Sequence, residues 1–268
     1  MRFARRAAFA VLLAWLALAL VADVLPLAPN AVDLPGILAA PDAERWLGRD
    51  DLGRAVAARL VQGAQVSLLV SLLVVTLTVC FGTSLGLVAG WRGGLVDALL
   101  MRVTELFLAF PGILLAIALA GALGPGLGNV VLALGAVGWV GFARLARAQT
   151  LALRGRDHVQ VAHALGQPPL VIVLRHVLPL LAGPLIVEAS FAAAATVVAE
   201  AGLSFLGLGV QPPTPSWGGM LRDGARYLLI APHLVLVPGL ALASLVVALN
   251  LLGDALRDRL DPRAVRLH

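Results

Sequence analysis

Apolar runs separated by short polar intervals dominate the chain, and six of them approach or exceed the length needed to cross a bilayer: residues 7–27, 66–90, 107–123, 130–148, 180–210 and 231–252. A hydrocarbon core asks for about 20 apolar residues in a helix. These runs are continuous rather than alternating, which predicts helices and argues against a barrel of strands about ten residues long. The fifth run is too long to be one straight crossing. The third follows an amphipathic lead-in, "LVDALLMRVTELFLAF". "WRGG" and "GPGLGN" read as tight turns, and "QPPTPSWGG" breaks any helix. The expected fold is therefore all-α: a polytopic membrane protein of about six transmembrane helices. It divides into an N-terminal anchor helix with an irregular external segment (1–65) and a core domain (66–268).

Composition agrees. Of 268 residues, 60% are hydrophobic and 13% charged, with mean hydropathy +0.95, against about 25% charged in soluble domains. All 20 basic residues are arginine. Without lysine there is no Walker A phosphate loop and no lysine Schiff base, so any ATP hydrolysis belongs to another chain. Cys80 is the only cysteine, which excludes an internal disulfide and a thiol metal cluster; it reads as a small buried apolar residue. The net charge of +5 fits arginines that set membrane orientation better than it fits nucleic-acid binding.

Arg2, Arg5 and Arg6 precede the first apolar run, as in a signal peptide. The run is longer than a typical signal core and five more follow, so an uncleaved anchor is expected. With the amino terminus inside and six crossings, fourteen arginines fall inside. Six fall outside: Arg45, Arg49, Arg54, Arg59, Arg222 and Arg226. The positive-inside rule then predicts both termini in the cytoplasm, and makes 149–179 the longest cytoplasmic loop.

That loop contains "DHVQVAHALGQPPL". Asp157 is placed to accept the first free N–H groups of a short helix, with Gln160 reaching back three residues later. Gly166 suits the left-handed residue that closes it, and Pro168 and Pro169 keep it from resuming. Val161, Ala164 and Leu165 form one apolar face; Gln160 and His163 lie opposite. Two turns of helix are marginal alone, so this one lies on lipid or docks on a cytoplasmic partner.

The loop's Ala162, Gly166 and Val177-Leu178-Pro179 resemble the "EAA" loop of ATP-binding-cassette (ABC) importer permeases. "EAGLSFLGLGVQPPTPSWGGML" from Glu200, "LGRDDLGRAVAARLVQGAQVSLLV" from Leu47, "LFLAFPG" and "NLLGDALRDRLDPR" are similar to the dipeptide, oligopeptide and nickel branch of that family. The resemblance runs from Leu47 to Arg263 and implies a type I (MetI-like) permease fold. It also implies a second homologous permease, two ATP-binding subunits, an extracytoplasmic solute-binding protein and a bacterial inner membrane. The cargo implied is di- or oligopeptides, with nickel or a metal chelate as the alternative. The resemblance implies that Asp157, Gln160, Ala162, His163, Leu165, Gly166 and Pro179 form the loop that couples to the ATPase. The chain departs from the family pattern at Gln160 (usually glutamate), Val161 (usually alanine), Arg49 (often threonine) and Ala55 (often aspartate).

Glu188 and Glu200 fall in the fifth apolar run, twelve residues apart. That is about 18 Å along a helix, too far for a paired-carboxylate site. Acids in a membrane face partners or water-filled paths: Glu200 reads as an anchor for the "SFLGLG" bend, and Glu188 as a pathway residue. Pro212, Pro213, Pro215 and Trp217 read as a stiff external rim, either an interfacial turn or a docking edge for the binding protein. His158, His163 and His176 are poorly spaced for zinc, and no cofactor or metal is expected. Two rival classes remain: an intramembrane enzyme using Glu188 or Glu200, and an independent ion-coupled carrier.

Overall fold

The computed structural model describes residues 2–260. Arg263 and Arg266, two of the fourteen arginines placed inside, lie outside the described residues. Ten α-helices are described: α1 (Arg2–Val21), α2 (Val56–Arg92), α3 (Gly94–Leu108), α4 (Gly112–Leu123), α5 (Leu127–Arg154), α6 (Asp157–Ala164), α7 (Pro169–Ile172), α8 (Leu178–Phe205), α9 (Trp217–Ala225) and α10 (His233–Leu260). Among the described residues the only strand-like pairing is one isolated bridge, Arg49 with Ala55, and the all-α expectation holds.

The spanning elements differ in detail from the apolar runs. Four described helices are long and apolar enough to cross a membrane: α2, α5, the continuous 37-residue helix Pro169–Phe205, and α10. The pair α3 and α4 makes a fifth if counted as one broken span. α1, at 20 residues, would be the sixth. The third expected run, 107–123, is not one helix: α3 and α4 meet at 84°. Pro111, the N-cap of α4, has no N–H to donate and disfavours helical Phe110 before it. α2 starts ten residues before the expected 66, because Val56 and Ala58 already pack into the core. The 149–179 segment is mostly helix, since α5 runs on to Arg154 and the next long helix begins at Pro169.

Glycines set the central packing. A Cβ on Gly82 would stand 2.3 Å from the Trp139 carbonyl oxygen, and one on Gly86 the same distance from that of Ala143. α2 and α5 are thus in backbone contact along a small-residue seam. Gly135 and Gly138 are filled instead by the side chains of Leu77 and Thr78. Arg147 clamps α3 to α5 through both nitrogens of its fork: Nη2 donates to Asp97 Oδ2 at 2.6 Å, and Nε to Oδ1.

The bundle has two recognisable ends. At one, Arg5 pairs with Asp258, Leu260 packs beside Gly183, and Arg154 Nη1 donates to the Trp91 carbonyl at 3.1 Å. The beginning of α1, the end of α10, the ends of α2 and α5 and all of α6 therefore share this end. At the other, Trp217 Nε1 donates to the Leu60 carbonyl at 3.0 Å. Asp50 there bonds both Arg54 (2.7 Å) and Arg59 (3.4 Å) in a buried cluster.

Candidate functional site

α6 begins where Gly155 ends α5 and Arg156 turns extended (φ −79°, ψ 147°). Arg156, not Asp157, is the N-cap, and no side chain caps the helix. Asp157 is already helical, so its carboxylate cannot reach back to the free N–H groups. It still lies in the first turn, where negative charge meets the positive end of the helix dipole. Gln160 does turn back, but its Nε2 donates to the Arg154 carbonyl at 2.9 Å. The expected capping box is absent, and a tether to the end of α5 replaces it.

The C-terminus follows expectation. Gly166 has φ +76°, Gln167 N bonds Ala162 O at 3.2 Å and Gly166 N bonds His163 O at 2.9 Å. This is the paired Schellman arrangement, which needs a left-handed residue at that point. Pro168 and Pro169 not only stop α6; they open α7, Pro168 as its N-cap and Pro169 in its first turn.

The face of α6 that packs is not the expected one. Val159 (2% exposed) and Ala162 (4%) point inward and join a cluster with Leu87, Phe142, Leu153 and Ile172. Val161 (56%) and Leu165 (75%) stand outward, with Ala164 exposed beside them. Two apolar rows occupy this short helix. The sequence alone does not say which row has an internal partner; the cluster beneath Val159 decides it. His163 is exposed on the same helix. His176 Nε2 lies 3.1 Å from Gln167 Oε1. No group of three metal-ligating side chains forms among the described residues.

Only Leu165 to Pro168 separates α6 from the 37-residue helix Pro169–Phe205. That helix contains one widened turn, Val173–Val177, in which Leu178 N bonds Val173 O. Pro179 follows at once in the first turn of α8. It has no N–H for the Arg175 carbonyl and its ring crowds that oxygen, a known cause of such irregular turns.

Further along this helix Glu200 is fully buried (0%) and accepts from Ser204 Oγ at 2.7 Å and from Ser67 Oγ on α2 at 3.2 Å. It links α2 to the Trp217 end of α8, one turn before the "SFLGLG" stretch continues past Ser204. Glu188 is half-buried, its Oε1 3.3 Å from where a Cβ on Gly141 would stand. Between α2, α4, α5 and α8 lies a groove of about 290 Å³. Small side chains line it, among them Gly112, Ala116, Gly138, Ala192, Ala195 and Ala199.

The expected rim divides in two. Pro212 and Pro213, joined by a cis peptide, are exposed. Pro215 is buried, and Trp217 is wholly so (0%), its ring 5.0 Å from that of Trp15 in an edge-to-face pair. Trp217 is therefore a core anchor rather than a headgroup-level residue, because it starts an amphipathic helix, capped by Ser216, whose buried face is turned onto Leu60 and Gly63. Sequence reasoning missed the Asp50–Arg54–Arg59 cluster and the Asp97–Arg147 clamp. The first carried a signal, the i, i+4 spacing of Asp50 and Arg54; the second, fifty residues apart, carried none. Cys80, expected buried, is exposed on α2.

The model of the binding-protein-dependent transport system inner membrane component family matches residues 82–266. The chain belongs to this family. A glutathione transport system permease protein (GsiD) of Pectobacterium atrosepticum is 41% identical over 236 residues, covering 88% of this chain and 78% of the relative. A dipeptide transport system permease protein (DppC) of Alkalihalophilus pseudofirmus is 42% identical over 226 residues, covering 84% and 74%. Among solved structures, the inward-facing MetNI methionine ABC transporter superposes with a TM-score of 0.59 at 19% identity, over 75% of this chain and 95% of that one. That likeness gives the type I importer permease fold. The chain is thus an inner-membrane, multi-pass permease subunit of an ABC importer, a translocation component without catalytic chemistry of its own. The intramembrane-enzyme and independent-carrier readings fall away.

Proposed function

We propose that this permease carries di- or oligopeptides across a bacterial cytoplasmic membrane. It works beside a second homologous permease, above two ATP-binding subunits and below an extracytoplasmic solute-binding protein. The observation that carries the coupling part is the outward apolar row of α6. Val161 and Leu165 are 56% and 75% exposed, yet they ride on a helix that the chain itself holds down through Val159 and Ala162. An exposed apolar patch on a fixed support suits a protein groove. Motion of the ATPases would reach α6 and pass through the four residues Leu165–Pro168 into the long helix that walls the groove. Rocking of packed helices between two arrangements is the physical form such a change takes. In this reading Asp157, Gln160, Ala162, His163, Leu165, Gly166 and Pro179 form and position the coupling element, and the neutral Gln160 forgoes an ion pair with the ATPase. Pro212 and Pro213 offer the rim to the binding protein. No cofactor takes part.

The arginine count supports an orientation. Both described ends of the chain lie at the α6 end, and the expected split of fourteen arginines to six favours that side as the cytoplasmic one, with α1 read as the sixth crossing. Residues 1–65 serve as anchor and external cover for the 66–268 core. Peptide cargo is favoured over nickel because the similar permeases are named for a dipeptide and for glutathione. The test is uptake by the complex purified from its host and reconstituted with its binding protein. ATP-dependent entry of a labelled dipeptide is expected; entry of nickel with no peptide uptake would reverse the cargo.

A further inference from the structure

Glu188 lies nineteen residues from the start and seventeen from the end of the apolar helix Pro169–Phe205, near its middle. A carboxylate on a membrane-spanning helix is costly unless it faces water or a partner. Among the described residues Glu188 enters no hydrogen bond or ion pair, in contrast to Glu200 with its two serine donors. Its surroundings leave it room. Gly141, opposite, has no side chain, and its backbone is exposed.

Glu188 sits beside a lining residue of each of two cavities. On α8, Glu188, Ala192, Ala195 and Ala199 recur at helical spacing on one face, and the three alanines line the 290 Å³ groove. On α5, Gly138 lines that groove, while Gly141, Arg144 and Ala148 line a second cavity of about 450 Å³ toward the α6 end. The two cavities follow one face of α5, and the Glu188 carboxylate reaches that face at Gly141, which lines the second, while Ala192, one turn along α8, lines the first. The groove is walled by apolar side chains and two threonines, Thr78 and Thr196. Arg144, exposed one turn beyond Gly141, is the next charge along it.

We infer that Glu188 is a specificity-determining residue of the transport path, which receives the ammonium group of the cargo as it passes between α5 and α8. This rests on the peptide reading above, since a peptide with a free N-terminus carries that cation. A charge-assisted hydrogen bond of this kind contributes about 1.5–3 kcal/mol, enough to favour amine-bearing cargo about tenfold or more. An arginine of a neighbouring subunit could take the same carboxylate, and the test separates the two.

In the reconstituted complex, uptake of a dipeptide with a free N-terminus is compared with uptake of its des-amino analogue, for wild type, Glu188→Gln and Glu188→Asp. The binding protein delivers each cargo to wild type and variant alike, so its own preference cancels in the ratio. Glu188→Gln is expected to lower dipeptide uptake about tenfold while changing analogue uptake less than twofold, with Glu188→Asp recovering most of the loss. In a Cys80→Ala background, Glu188→Cys is expected to react with a cationic, water-soluble methanethiosulfonate, and the dipeptide to slow that reaction. Equal loss for both cargoes, no loss for either, or a cysteine at 188 that does not react would overturn the inference, equal loss pointing to the subunit contact. A wild-type complex that takes up no peptide while that cysteine reacts would overturn the peptide reading, and the ammonium assignment with it.

Discussion

At one end of the bundle Trp217 is sealed against Trp15, the Leu60 carbonyl and Gly63, where an added Cβ would come within 2.8 Å of the indole. At the other, α6 keeps Val161 and Leu165 in the open and is held by two small inward residues, Val159 and Ala162. The charges follow the same division. Asp50 binds two arginines in a buried cluster at the Trp217 end. At the α6 end the Arg5–Asp258 pair is exposed. The Trp217 end is built as a fixed frame. In the proposed reading the α6 end is the one gripped: Val159 and Ala162 fix the helix to the core beneath it, and its other apolar row is left outside. A transporter driven from one side is served by this asymmetry: one end turns its apolar anchor inward, the other turns an apolar row outward.

Substitutions at the two ends should separate stability from coupling. Trp217→Ala, at the fixed end, is expected to cost about 3–5 kcal/mol of stability, measured as a fall in thermal stability of the detergent-solubilised complex. A fall no larger than that of a surface variant would contradict the frame. Leu165→Asp, at the gripped end, is expected to leave thermal stability within about 0.5 kcal/mol. A docking residue of hot-spot size carries about 2 kcal/mol or more, so uptake should drop at least tenfold. Gly166→Val comes next. Nothing stands within 4 Å of its added Cβ, so its cost is the left-handed backbone alone, about 1–2 kcal/mol. Insertion should stay normal, and uptake per ATP hydrolysed should fall; normal uptake would remove the loop from the transmission route. Arg5→Ala is expected to have the smallest effect, about 0–1 kcal/mol for a solvent-exposed ion pair, seen as an unchanged yield of membrane-inserted protein.

The sequence showed which segments are helical more readily than where they break. Long apolar runs reveal membrane helices because burial in lipid acts on every residue. The 84° break at Ala109–Pro111, by contrast, hangs on a single proline inside an apolar run. Gly166 was legible as a stop because few residues other than glycine tolerate φ near +76°. The cap at Arg156 was not legible, because Asp157 is the better capping side chain and only the path of the chain out of α5 excludes it. Trp217 was misplaced for a related reason: a tryptophan beside prolines in a membrane protein suits an interface, and its burial depends on α1 and α2, distant in sequence. The Asp97–Arg147 clamp depends on the α2–α5 glycine seam and could not have been found before that packing was known.

The most direct measurement of the central claim places one cysteine at the tip of α6, Leu165→Cys in a Cys80→Ala background, in oriented membrane vesicles that carry the whole importer. An impermeant thiol reagent should label it only from the cytoplasmic face, and a short thiol-directed cross-linker should join it to an ATP-binding subunit. Labelling from the periplasmic face, or cytoplasmic labelling with no cross-link to that subunit, would contradict the account.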